Sequence, residues 1–171
     1  MSNFQARIIR AAKLDIHLYE EVEADQEALG QAMGVVVLSS IAAGLATYDM
    51  GGFAGLITGT FGALISWFIW AYITYFVGTR ILPVEQTHAT HGQLLRTIGF
   101  SSAPGILRII GIIPGLNLII SFIAGIWMLV AMVMAVRQAL DYKSTGRAIG
   151  VCFIGWIVQG IIMALVYSIF G

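Results

Sequence analysis

The 171-residue chain is 58% hydrophobic and 11% charged, with nine basic and nine acidic side chains and a mean hydropathy of +0.88. Soluble domains carry about 25% charged residues, so the composition argues against a water-soluble globule and for a bilayer. The even charge balance argues against nucleic-acid binding, which needs a basic surface to neutralise phosphates, and the single cysteine, Cys152, excludes an internal disulfide.

The chain begins with charge. Ile8, Ala12, Ile16, Tyr19 and Val22 recur at helical spacing, and no Gly or Pro appears before Gly30. This pattern predicts one amphipathic cytoplasmic helix over 1–28. Its first half is basic (Arg7, Arg10, Lys13) and suits an interface with anionic lipid. Its second half, from Asp15 to Glu27, is acidic and is expected to face water or the basic loops. No short apolar core precedes it, so a cleavable signal peptide is not expected.

Four uncharged runs follow, at 28–48, 50–79, 109–136 and 148–171. Each exceeds the roughly 18–20 residues that cross a hydrocarbon core. The segment 94–113, "LLRTIGFSSAPGILRIIGII", is ambiguous: with Pro104, Gly105 and Arg108 it reads as a crossing helix or as a re-entrant hairpin. Lys and Arg near span ends stay cytoplasmic, which arbitrates. With five spans and an inside N-terminus, Arg7, Arg10, Lys13, Arg80, Arg96, Arg137, Lys143 and Arg147 all lie inside, and only Arg108 does not. Four spans would export the loop at 137–147. The expected architecture is therefore an all-α integral membrane protein whose membrane domain, 29–171, holds five transmembrane helices. They run over about 29–48, 53–78, 95–113, 116–136 and 148–170, which leaves the C-terminus outside. Pro104 should bend the third of them, and Pro114-Gly115 should form a tight turn.

Within this frame, Gly51, Gly55, Gly59 and Gly62 give the second span a narrow surface that suits close helix packing or self-association. "SWFIWAYITYF" (66–76) puts Trp70 and Tyr75 near the cytoplasmic interface, as an aromatic belt or as a headgroup cage against Arg80 and Arg137. Arg108, a few residues below the outer end of its span, is expected to pair with Asp49. Arg96, Arg137, Asp141 and Arg147 are expected to cluster at the cytoplasmic face, with Lys143 beside them, offering surplus positive charge to a lipid phosphate or a partner. His88 and His91 lack further ligands, so no metal site is expected, and no cofactor or catalytic motif is present.

The runs "TRILPVEQTHATHGQLLRTIGFSSAPG" (79–105) and "VRQALDYKSTGRAIGVCFIGW" (136–156) resemble the bacterial branch of the Yip1 family. The more specific parts are Thr-x-Gly-x-Leu-Leu-Arg at 90–96, Ala-Pro-Gly at 103–105 and Arg-Gln-Ala-Leu-Asp-Tyr at 137–142. The resemblance implies a five-span helical domain with a cytoplasmic N-terminus, placed here in a bacterial inner membrane. Eukaryotic relatives associate with one another and bind Rab-type GTPases, an activity tied to a long N-terminal cytosolic region not seen here. Fold transfers across such a distance better than function. The expectation is a non-enzymatic protein that binds membrane lipids or a cytoplasmic or membrane protein partner through its cytoplasmic face, as a homo-oligomer. An oligomeric channel or transporter for small solutes is the alternative.

Overall fold

Hydrocarbon offers no partner to a backbone N–H or C=O, so an apolar run inside a bilayer must satisfy its own backbone. The computed structural model describes residues 3–85 and 87–170, except the side chains of Met163, Val166, Tyr167, Ile169 and Phe170, and every regular element in it is helical. Helix α1 is Phe4–Ala12, α2 Ile16–Ala24 and α3 Ala28–Ala46. Helix α4, Tyr48–Phe76, runs into a π-helical turn, Val77–Ile81. Then come α5, His91–Phe100, a 3-10 helix, Ala103–Ile112, α6, Asn117–Ala139, and α7, Thr145–Phe170.

Helices α3, α4, α6 and α7 are long and apolar enough to cross a membrane, and at most a third of each such stretch is buried inside the protein. The rest of their apolar surface, including Phe53, Phe61, Phe122 and Phe153, points outward. Four helices meet the length criterion where five were expected. The exception is 95–113, which is not one helix: α5 ends at Phe100 and the 3-10 segment takes over at Ala103. Pro104 lacks an N–H and crowds the preceding turn, so the α-helical ladder stops before it. Ser101 Oγ takes up one released carbonyl, donating to Ile98 O at 2.7 Å.

This broken element lies parallel to α3. A Cβ added at Gly99 would sit 2.7 Å from Ala32 Cβ, one at Gly105 2.0 Å from Ser39 Oγ, and one at Gly111 3.3 Å from Ala46 Cβ. The three contacts climb both elements together. In a 3-10 helix, residues three apart eclipse, so Gly105, Arg108 and Gly111 share one face. The glycines allow the close approach, and Arg108 projects between them.

The amino-terminal region departs from expectation too. It is two helices, not one, because the chain turns at Leu14 with φ +60°. Asn3 and Asp15 cap the two N-termini, accepting from Gln5 and His17 backbone N–H. The pair folds onto the bundle: Leu18, Tyr19 and Val22 are buried with Phe100 and Ala135, and Trp127 Nε1 donates to Ala12 O at 2.8 Å.

Helix α4 is interrupted at Gly52 (φ +57°, ψ −159°), a conformation reserved in practice for glycine. Gly51 therefore falls outside the continuous helix that carries Gly55, Gly59 and Gly62. A Cβ at any of the four would meet nothing within 4 Å, so they do not form a tight packing seam within the chain. The predicted Pro114-Gly115 turn is present, with Gly115 at φ +85°.

Candidate functional site

The polar end of the bundle, where α1 and α2 lie, is built from the two sequence motifs. In the first, Thr90 caps α5 and forms a reciprocal capping box with Gln93. Leu94 and Leu95 then enter the core. Arg96, only 8% exposed, reaches the carboxyl end of α2, where its Nε donates to Val22 O at 2.9 Å and its second guanidinium nitrogen donates to Glu23 O. These are carbonyls that a helix end leaves unpaired, and a cation there also meets the negative end of the helix dipole. Arg96 is thus a structural cap, with little of it left to offer a ligand.

In the second motif, Leu140 is fully buried against Gly78, where an added Cβ would lie 2.4 Å from Leu140 Cδ1. Tyr142 Oη donates toward Gly78 O at 3.1 Å and Leu82 O at 2.7 Å. The α6–α7 connection is locked onto the end of α4 by these contacts. Arg137 spends its donors on that connection, at Tyr142 O (3.1 Å), Thr145 Oγ1 (3.2 Å) and Lys143 O (3.4 Å). Asp141 adopts φ +53° as the helix ends and is exposed.

The expected cluster of Arg96, Arg137, Asp141 and Arg147 does not assemble as an ion-pair network. None of the three arginines bridges Asp141; each binds backbone carbonyls, Arg147 that of Pro83 at 3.2 Å. The ion pairs lie instead within α1 and α2. Arg7, 6% exposed, pairs with Glu21 at 2.8 Å and Asp25 at 2.7 Å, and Arg10 with Asp15 at 2.7 Å and Glu21 at 2.6 Å. Sequence reasoning missed this network; the basic block at 7–13 followed by the acidic block at 15–25, which a turn at Leu14 folds face to face, was its only trace. The Arg7 hydrogen bond holds the Asp25 carboxyl below its ordinary value. Glu23 goes the other way, pushed up to about 7 by burial and then by Asp141, against the opposing pull of Arg96.

Lys13, Arg80, Lys143 and Arg147 remain, Lys13 on the turn after α1 and the other three at the ends of α4, α6 and α7. All four are exposed and form no ion pair with a described residue. Arg80, Lys143 and Arg147 share one rim, because Tyr142 and Leu140 bind the loop carrying Lys143 to the π-helical turn carrying Arg80, and Arg147 in the first turn of α7 reaches Pro83 O just beyond that turn. Tyr75 is partly buried, 6.4 Å from His91 ring to ring. Trp70 is not at the surface. It is 6% exposed, packs against Gly155, and its Nε1 is buried with no described partner.

Trp70 opens into a second feature, an open cleft of about 800 Å³ between α3, α4, α6 and α7, backed by α5 and the 3-10 segment. Ser39, Gly55, Gly59, Trp70, Arg108 and Gln159 are among its walls. Arg108 is half-buried and has no hydrogen-bond or ion-pair partner among the described residues. The expected partner, Asp49, is exposed in the first turn of α4 and forms no ion pair with it.

A family profile described as Yip1 domain matches residues 19–167. No curated protein and no solved structure matches the chain.

Proposed function

Because the chain belongs to the Yip1 family, we propose that it is a non-enzymatic membrane protein that organises lipid or a protein partner at its polar, cytoplasmic end. The observation that carries this reading is that Arg80, Lys143 and Arg147 are all exposed on segments locked together by Leu140 and Tyr142, whereas Arg7, Arg10, Arg96 and Arg137 are engaged within the fold. Each such cation near an anionic lipid surface contributes about 1 kcal/mol, and arginines match a phosphate in two-point geometry.

The broken α5 and 3-10 element serves as the fifth crossing. At 1.5 Å and 2.0 Å rise per residue its two ten-residue pieces cover about 35 Å, more than the roughly 30 Å hydrocarbon core. Its parallel register with α3 over Ala32 to Ala46 supports the same conclusion. Five crossings keep the N-terminus and the basic rim inside and the C-terminus outside, in a bacterial inner membrane. The uncrowded Gly62 of α4, which does not line the cleft, leaves a face for a second copy of the chain.

A solute channel or transporter would use the cleft. Against it weighs the cleft's floor, where Trp70 sits on a packed layer of Ile73, Val77, Leu94 and Leu95. Native mass spectrometry of gently extracted protein tests the proposal. A rim-bound anionic lipid or protein partner is expected on the wild type, and that adduct is lost when Arg80, Lys143 and Arg147 are all changed to Gln. Solute flux through the protein in liposomes, with no rim-dependent adduct, would overturn it in favour of transport.

A further inference from the structure

Among the residues that line the cleft, Arg108 has no described partner, and Trp70 Nε1 and Gln159 Oε1 are buried without one. A buried polar group without a hydrogen bond is costly, and an unpaired arginine at membrane depth costs more. Water satisfies the two neutral groups but leaves the charge of Arg108 uncompensated. The remaining wall is of another kind. Gly55 and Gly59 face open space, and Ala63, Met128 and Met132 continue a mainly apolar surface broken by uncharged hydroxyls such as Ser40, Ser66 and Ser121.

The position of Arg108 sets the orientation of whatever binds. It lies between Gly105, level with Ser39, and Gly111, level with Ala46. That places it three or four residues from the far end of α3, about 5 Å at the helical rise. Charge is therefore called for near the membrane surface, and apolar volume extends from there toward Trp70. A small anion would leave that volume unfilled, and an alkane would leave Arg108 unpaired.

We propose that the cleft binds one anionic amphiphile, a phosphate-bearing lipid whose headgroup meets Arg108 and whose chain lies along Gly55, Gly59 and Ala63 toward Trp70. This site is separate from the rim of Arg80, Lys143 and Arg147, at the opposite end of the bundle. Only its assignment to the outer leaflet rests on the orientation given above.

The test is native mass spectrometry of the full chain in mild detergent, titrated with dioleoylphosphatidylglycerol, with dioleoylphosphatidylcholine or with inorganic phosphate. In the Arg80, Lys143 and Arg147 triple variant, which removes rim-bound lipid, one phosphatidylglycerol is expected to be held in preference to phosphatidylcholine by at least about tenfold, the scale of a charge-assisted contact, and the remaining variants are made in that background. Arg108→Gln should abolish the preference. Gly59→Leu should lower retention of both lipids, because its side chain enters open space in the cleft. Gly125→Leu, which also meets open space but does not line the cleft, should change nothing.

The Arg80, Lys143 and Arg147 triple variant should keep the Arg108-dependent adduct, so the rim reading and this one fail separately. Unchanged phosphatidylglycerol retention in either Arg108→Gln or Gly59→Leu overturns the proposal. So does displacement of the lipid by inorganic phosphate, which would make the site one for a free anion. Circular dichroism and elution volume check folding; if Arg108→Gln does not fold, Gly59→Leu decides.

Discussion

The two ends of the bundle are packed by different rules. At the polar end, α4 buries Trp70, Ala71, Ile73 and Thr74, α6 buries Ala135, Val136 and Ala139, and α7 buries Ala148 and Val151. At the far end the same helices bury almost nothing: Phe53 and Phe61 of α4, Leu118 and Phe122 of α6 and Ile161 and Leu165 of α7 are all more than half exposed. The polar end has water to drive burial, plus hydrogen bonds that cross between elements. In hydrocarbon, apolar side chains gain little by leaving lipid for each other, and helices associate through close contact of small residues. Among the described residues such contacts at the far end centre on α3 and the 3-10 segment, with Gly44 of α3 also close to Leu56 of α4. The cleft is what the other helices leave open.

The sharpest way to break this comparison is to add the same methyl group at both ends. Gly99→Ala puts a Cβ 2.7 Å from Ala32 Cβ and 3.1 Å from its carbonyl oxygen, with backbone behind both. Overpacking of this kind costs about 1–3 kcal/mol. Gly62→Ala meets nothing within 4 Å, and the helix gains up to about 0.5–1 kcal/mol from the lost flexibility of glycine. The unfolding midpoint in detergent, followed by tryptophan fluorescence, should fall in the first variant and hold or rise in the second. Equal losses would mean that the far end is packed as tightly as the polar end.

The same difference explains what could be read from the sequence. Uncharged run length located α3, α4, α6 and α7 to within a few residues, because bilayer thickness imposes length directly. The break at 101–102 was legible through Pro104, but the 3-10 continuation was not. It depends on Gly105 and Gly111 meeting Ser39 and Ala46, a long-range fit that no local pattern announces. The motif arginines were legible as a group and misassigned in role. Charge spacing suggested Asp141 as their partner, whereas Arg96 and Arg137 satisfy helix-end and loop carbonyls that carry no sequence signature. Trp70 was placed at the interface by residue preference, and Gly155 gave it a seat inside instead.

Arg96→Lys sharpens the contrast between structural and exposed cations. Lysine keeps the charge but cannot hold Val22 O and Glu23 O in the fixed fork that arginine provides. A loss of about 1–2 kcal/mol is expected, with anionic-lipid retention unchanged, since the guanidinium is already buried in α2. Arg147→Lys, at an exposed site with a single carbonyl contact, should leave the midpoint unaltered. Tyr142→Phe removes the hydroxyl that faces Gly78 O and Leu82 O and should cost about 1 kcal/mol. Faster proteolysis of the loop at 82–90 would report that loss.

The smallest effect lies in Glu23, where the polar end carries a cost of its own. Its carboxyl is half-buried and accepts a hydrogen bond from Gln93 Nε2 at 3.0 Å, yet burial and the charge of Asp141 push its pKa up from 4.5 to about 7. A raised folded-state value means that the folded protein favours the protonated form. The associated stabilisation is complete below about pH 4.5, fades across the interval to pH 7, and is gone above it. Glu23→Gln imitates the protonated side chain at every pH. The variant should therefore match the wild type near pH 4.5 and exceed it above pH 7, by roughly 2 °C in midpoint after allowance for solvent screening. The difference between the two curves, taken across pH 4.5–8, isolates this group from the other carboxylates. A flat difference would mean that folding leaves the Glu23 carboxyl unshifted, and a variant less stable than the wild type at pH 7 would show that Arg96 holds Glu23 ionised.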